Sequence, residues 1–147
     1  MELGFEPFGV ELIPELTIQF KRKYKHFSSN IYNCDFSTLN QKDNLEAFDL
    51  ITAFDLVEHL RDPRLNFHHI YNLLNSKGVF LFQTPNVNSK EAKLLKQEWS
   101  ALKAIEHYHL FNDTNIIDFG KQIGFREVYN ITDNSVNNGD MIIMMLK

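Results

Sequence analysis

The chain has 147 residues, 44% of them hydrophobic and 23% charged, with 15 Lys and Arg against 19 Asp and Glu for a formal charge of −4. One core usually serves ~100–200 residues, so a single domain over 1–147 is expected, and the acidic balance excludes a protein held to nucleic acid by bulk charge. No apolar run approaches the ~20 residues of a membrane span, and the start Met1-Glu2-Leu3-Gly4-Phe5 lacks a leader pattern, which makes a cytoplasmic location the expectation.

Phe8 to Leu12 reads as a short strand, closed by Pro14, a residue that a first helical turn tolerates. A helix over 15–25 follows, with Leu16, Phe20 and Tyr24 in one apolar stripe. Lys21, Arg22, Lys23 and Lys25 crowd its end, where cations suit the helix dipole, and read as a solvated face. Residues 30–34 form a second strand that ends at Asp35, and the polar stretch from Ser37 to Glu46 is too irregular to assign. The run Phe48 to Phe54 is nearly continuous in apolar residues, which suits a strand covered on both faces. A helix over 64–75 stops at Gly78, and Val79 to Gln83 is another buried strand, broken by Thr84-Pro85-Asn86.

Asn88 and Glu91, spaced as a capping box, open a helix that runs to Trp99. Asn112 or Asp113 caps a further helix ending at Gly124. Strands over 125–132 and 140–146 are joined only by Asp133 to Gly139, too short for a helical crossover, so they pair antiparallel. This order defines an α/β domain whose sheet is mainly parallel, with one antiparallel strand near the C-terminus. Cys34 is the single cysteine, so neither an internal disulfide nor a CxxC site is possible.

Ligands of open parallel sheets sit beyond the carboxyl ends of the strands. Glu11 closes the first strand here, Asp35 the second, Phe54-Asp55 the third and Gln83-Thr84-Pro85 the fourth. An acid ending an early strand suits the two hydroxyls of a nucleotide ribose. Asp35, one strand over, suits an adenine amine, and Phe36 suits the ring face. Singly each acid is also an ordinary loop or capping residue; in this order they fit an adenosine site.

Asp55, Glu58 and His59 share a face if a helix starts at Asp55, an O,O,N set able to hold a divalent cation. Asp-x-x-Glu is equally a capping box. His107 and His109 alternate in Glu106-His-Tyr-His and point apart in extended chain, so both do not serve one small site. An imidazole, titrating ordinarily near ~6.5, suits removal of a hydroxyl proton, the alternative being a hydrogen-bonded loop histidine. His68 and His69 read as packing or surface residues, and Trp99 and Phe111 as acceptor-pocket walls or core.

The segments Gly4 to Leu12, Cys34-Asp35-Phe36, Phe48 to Pro63, Lys77 to Asn86, Glu106 to Phe111 and Phe119 to Phe125 together resemble the class I S-adenosylmethionine-dependent methyltransferases over almost the whole chain. The sequence is most similar to the branch that holds the ubiquinone-biosynthesis O-methyltransferases and small methyltransferase domains of bacterial surface-polysaccharide pathways. This resemblance implies a Rossmann-like sheet, S-adenosylmethionine as cofactor, and methyl transfer to a small-molecule acceptor, at oxygen. It implies that Glu11, Asp35, Phe36, Phe54 and Asp55 flank the cofactor and that His107 or His59 is the base. It also associates the acid-x-x-Glu-His element, here Asp55, Glu58 and His59, with a divalent metal.

The family opens with a strand and a glycine-rich loop, and Gly4 and Gly9 form no such loop. The expectation is therefore a sheet lacking its first strand, in a fragment of a longer product or repaired by sliding strands or by a homo-oligomer. A module that keeps the fold without the cofactor is the competing reading. A nicotinamide-dependent oxidoreductase is the third; it needs the same glycine turn and leaves Glu58-His59 and Thr84-Pro85-Asn86 unexplained.

Overall fold

The short extended segments Gly9–Glu11 (β1) and Ile31–Asn33 (β2) pair in parallel in the computed structural model, which describes residues 4–39, 47–103, 105–133 and 139–147. The end of the polar stretch, 40–46, and positions 134–138 of the last connection lie outside the described residues. By its contacts the chain divides into two units, 1–45 and 46–147, each with its own sheet.

In the first unit the helix Pro14–Lys23 (α1) links β1 to a 3-10 turn, Lys25–Asn30, and then to β2. Pro14 sits in the first turn, where a missing N–H costs nothing, and Lys21, Arg22 and Lys23 fill the last turn. The helix ends two residues earlier than the sequence suggests, with the Tyr24 N–H donating to the Phe20 carbonyl. Phe20 and Tyr24 do stack, with ring centroids 6.2 Å apart. Yet the stripe forms no core: Leu16, Phe20 and Tyr24 are 37%, 44% and 44% exposed. The buried residue of α1 is Thr17, whose hydroxyl donates to the Ile13 carbonyl at 3.2 Å. Two three-residue strands offer too little surface to cover a helix face.

The second unit runs Phe48–Phe54 (β3), a 3-10 turn Val57–His59, Pro63–Leu73 (α2), Leu74–Pro85 (β4), Lys90–Leu95 (α3), Asp113–Ile123 (α4), Glu127–Asn130 (β5) and Asp140–Leu146 (β6). Its sheet has the order β3-β4-β6-β5. Adjacent β3 and β4 are parallel, and β6 runs antiparallel to both β4 and β5, so the single reversed strand is β6, as expected for the short last connection. One face of β4 and β6 presents Phe80, Phe82, Met141, Ile143 and Met145, all 0% exposed. Phe67 of α2 meets Phe80, Phe82 and Phe119 edge-on with centroids 5.0–5.5 Å apart. Each buried ring contributes roughly 1.5–3 kcal/mol of transfer free energy, with about 0.5–1.5 kcal/mol more per favourable aromatic pair. Gly120 lets α4 approach this face, since a Cβ there would lie 2.8 Å from Met145 Cε.

Three expectations are corrected. The apolar run of β3 is not covered on both faces: Leu50 and Phe54 are 45% and 55% exposed, and among the described residues β3 pairs only with β4. Both α2 and α4 contact each other, α2 packs on β4 and α4 on β5, so helical cover is centred away from β3. Gly78 does not stop a helix. α2 ends at Leu73, and Gly78 lies in β4 at a register irregularity where Phe48 opposes Leu74 but Leu50 opposes Val79. A Cβ on Gly78 would sit 2.9 Å from the Phe48 carbonyl oxygen, so close backbone approach demands glycine. The helix placed over 88–99 is capped by Ser89, which accepts from the Ala92 N–H at 3.0 Å, not by Asn88. It gives way to a 3-10 turn at Lys96, where φ is +49°.

Candidate functional site

Glu11 is the last residue of β1, opposite Asn33 of the parallel β2, and Asp35 follows two residues later, so both acids stand at the same end of this pair. The Asn33 amide donates to the carbonyls of Glu11 and Leu12 at 2.8 and 3.0 Å and holds the exit of β1. Glu11 Oε1 accepts the Ile13 N–H, and Asp35 Oδ1 accepts the Ser37 N–H, each at 2.9 Å. Asp35 thus combines its strand-end placement with a capping role, whereas Glu11 holds the turn into α1 without capping it. Half-buried Phe36 opens the 3-10 turn Phe36–Thr38.

In the second unit, exposed Phe54 ends β3 and exposed Asp55 follows in a left-handed conformation, φ +50°. The short helix begins only at Val57, so Asp55 stands outside it and the spacing argument for an Asp55, Glu58, His59 face does not apply. What gathers instead is Glu58, His59 and His107, with one ligand-type atom from each lying within 4.8 Å of the others. His107 arrives through the backbone: the N–H groups of Tyr108 and His109 both donate to the Glu58 carbonyl, at 2.9 and 3.2 Å. The two imidazoles meet edge-on, centroids 4.7 Å apart at 79°.

The partners of these rings assign their protons. His59 Nδ1 lies 2.8 Å from the Glu106 carbonyl oxygen and His107 Nδ1 lies 2.8 Å from that of Ala101. A carbonyl oxygen only accepts, so each Nδ1 carries hydrogen and Nε2 is the position at which either ring could accept a proton or meet a cation. Beside them the Glu58 carboxylate is 1% exposed and accepts the Thr84 hydroxyl at 3.0 Å. Two imidazoles anchored through Nδ1–H and a buried carboxylate form a cluster that suits a proton or a cation.

His107 also lines a hollow of about 400 Å³ with Ala101, Leu102, Lys103, Tyr108 and Leu110. The Arg61 guanidinium lies over the Tyr108 ring, 5.9 Å from its centre. His109 turns elsewhere, with Nε2 3.4 Å from the Arg61 carbonyl and its ring stacked on Phe111, so the two alternating histidines do separate. Trp99 is buried with Ala92 and Ala101 as packing.

Asp55, outside that trio, acts electrostatically on Asp140. Burial raises the half-buried Asp140 carboxyl above the usual range, and the charges of Asp55, Glu58 and Glu91 push the same way against a hydrogen bond from Gln83. The sequence marks Thr84-Pro85-Asn86 as the end of a strand and as part of the family resemblance, and no spacing rule points to Thr84 as the partner of Glu58. Asn86 is a latch: its side chain accepts the Asn88 N–H and donates to Asp113.

Residues 2–130 match the family model described as a methyltransferase domain. The chain therefore belongs to this family of methyltransferase domains. Solved structures share the Rossmann-like fold. A SAM-dependent methyltransferase from Archaeoglobus fulgidus aligns at 17% identity and TM-score 0.69, over 99% of this chain and 78% of that one. Magnesium protoporphyrin IX methyltransferase from Synechocystis, solved with bound SAH, aligns at 11% and 0.66, over 95% and 63%. The methyltransferase domain of citrinin polyketide synthase aligns at 13% and 0.70, over 93% of this chain but only 38% of its own. No curated protein matches significantly. No helix among the described residues is long and apolar enough to cross a membrane.

Proposed function

We propose that this chain transfers a methyl group from S-adenosylmethionine to a hydroxyl of a small-molecule acceptor, with His107 as the base. The observation that carries this is His107: its Nδ1 is held by the Ala101 carbonyl, it is one of the residues lining the hollow, and it gathers with Glu58 and His59. When bound, S-adenosylmethionine supplies a methyl carbon already made electrophilic by its sulfonium. The protein's work is then alignment and proton removal. His107 Nε2 takes the hydroxyl proton, and the Glu58 carboxylate stabilises the imidazolium that results. Glu11, Asp35 and Phe36 in the first unit are assigned to the cofactor on their strand-end positions, as by the same criterion are Phe54 and Asp55 within the second, each set by itself. The family match, which runs from 2 to 130, supports treating both units as parts of one domain.

Glu58, His59 and His107 also fit a divalent cation. Both histidines have Nδ1–H anchored on carbonyls, the arrangement that orients ligating imidazoles, and a carboxylate completes an N,N,O set. An ion there would supply Lewis acidity that eases loss of an acceptor proton, and His107 would then be a ligand and not the base. The deciding experiment is calorimetric titration with S-adenosylhomocysteine, then methyl transfer to a panel of hydroxylated acceptors with and without Mn²⁺. We expect His107→Asn to keep the S-adenosylhomocysteine affinity and lose roughly 100-fold or more in kcat. A wild-type chain that binds no S-adenosylhomocysteine, or a fully active His107→Asn, overturns the proposal.

A further inference from the structure

Glu58 and Thr84 are both sealed from solvent, at 1% and 0% exposure, and the Thr84 hydroxyl donates to Glu58 Oε2 at 3.0 Å. A carboxylate at that depth is costly unless hydrogen bonds compensate it. Thr84 is itself placed by the sheet, opposite Met141 of β6 near the carboxyl end of β4. Its β-branched side chain has few rotamers, so the ladder effectively aims the hydroxyl. The other end of Glu58 is equally tied, because its carbonyl receives the N–H groups of Tyr108 and His109 and so suspends the loop that carries His107. One residue thus joins the strand end to both histidines.

We infer that Thr84 is a positioning residue, which fixes the plane of the Glu58 carboxylate so that the group faces His59 and His107. The inference rests on reading Glu58, His59 and His107 as the working cluster. It gives the threonine of Thr84-Pro85-Asn86 a role that a strand terminator does not need.

The test compares Thr84→Val, which keeps the shape and removes the hydroxyl, with Thr84→Ser, which keeps the hydroxyl. Two readouts are taken on the full chain: visible absorption on titration with Co²⁺ alone, and the imidazole ¹⁵N shifts of His59 and His107. We expect T84V to weaken Co²⁺ binding by roughly 10–100-fold and to move both sets of imidazole shifts, and T84S to restore each to within about threefold of wild type. Thermal melts check that each variant is folded. Thr84→Cys, of similar size with a weaker donor, replaces T84V if the latter does not fold, with an intermediate loss expected.

A folded T84V that binds Co²⁺ like wild type and leaves the imidazole shifts in place overturns the inference. So does a T84S that fails as T84V does, since packing and not the hydroxyl would then be what matters. If the wild-type chain takes up no Co²⁺, the cation reading falls by itself. The imidazole shifts then decide: moved in T84V and restored in T84S supports the assignment, and unmoved in T84V overturns it.

Discussion

The two units use similar apolar patterns to different ends. In residues 4–39, Thr17 and Leu39 are the buried side chains, while Phe5, Leu12, Ile18 and Phe20 are 44–72% exposed. In the second unit Phe67, Phe80, Phe82, Ile116, Ile143 and Met145 are fully buried. Both contain parallel strands and an amphipathic helix. The difference is that a four-stranded sheet receives two helices that also touch each other, whereas α1 has six strand residues to work with. Periodicity marks which side of a helix is apolar; the width of the opposing surface decides whether that side becomes a core.

The sharpest way to break this comparison is a pair of truncations read by chemical denaturation. Phe67→Ala, at the junction of three other rings, should cost about 3–5 kcal/mol, and Phe20→Ala on α1 about 0.5 kcal/mol or less. Equal losses would mean that the first unit has a core after all. A smaller effect is expected from Gly78→Ala. The new methyl would meet the Phe48 carbonyl and the Leu74 side chain at 2.9 Å, and overpacking of this kind costs roughly 1–3 kcal/mol. A neutral result would show that the β3–β4 irregularity relaxes freely.

The smallest effect concerns Asp140. Its carboxyl is raised in the folded state by burial and by Asp55, so the folded chain holds the proton more tightly than the unfolded chain does. Stability from this group therefore falls as pH rises through the window above the ordinary carboxylate value, and is regained on acidification. Asp140→Asn should raise Tm at pH 7 by no more than about 2 °C, with the gain closing toward pH 4. A gain that grows on acidification would reverse the assigned sign.

Element order, the reversed last strand and the acids at strand ends were legible because they follow from local chemistry: short continuous apolar runs, helical apolar spacing, a connection too short for a crossover, and Pro14 in a first turn. Gly78 was legible as a glycine but not as a close approach, since the Phe48 carbonyl that requires it is distant in sequence. The site divides in the same way. Glu58 and His59 are neighbours in sequence and were found there as a pair. The exchange of Asp55 for His107 depends on a left-handed Asp55 and on two backbone hydrogen bonds to the Glu58 carbonyl, neither of which has a spacing signature. By itself, then, the sequence determined the family, the order of the elements and the chemical types on hand. Only the tertiary structure decided which of those groups meet, because hydrogen bonds between residues far apart in the chain set that meeting, and local periodicity carries no record of them.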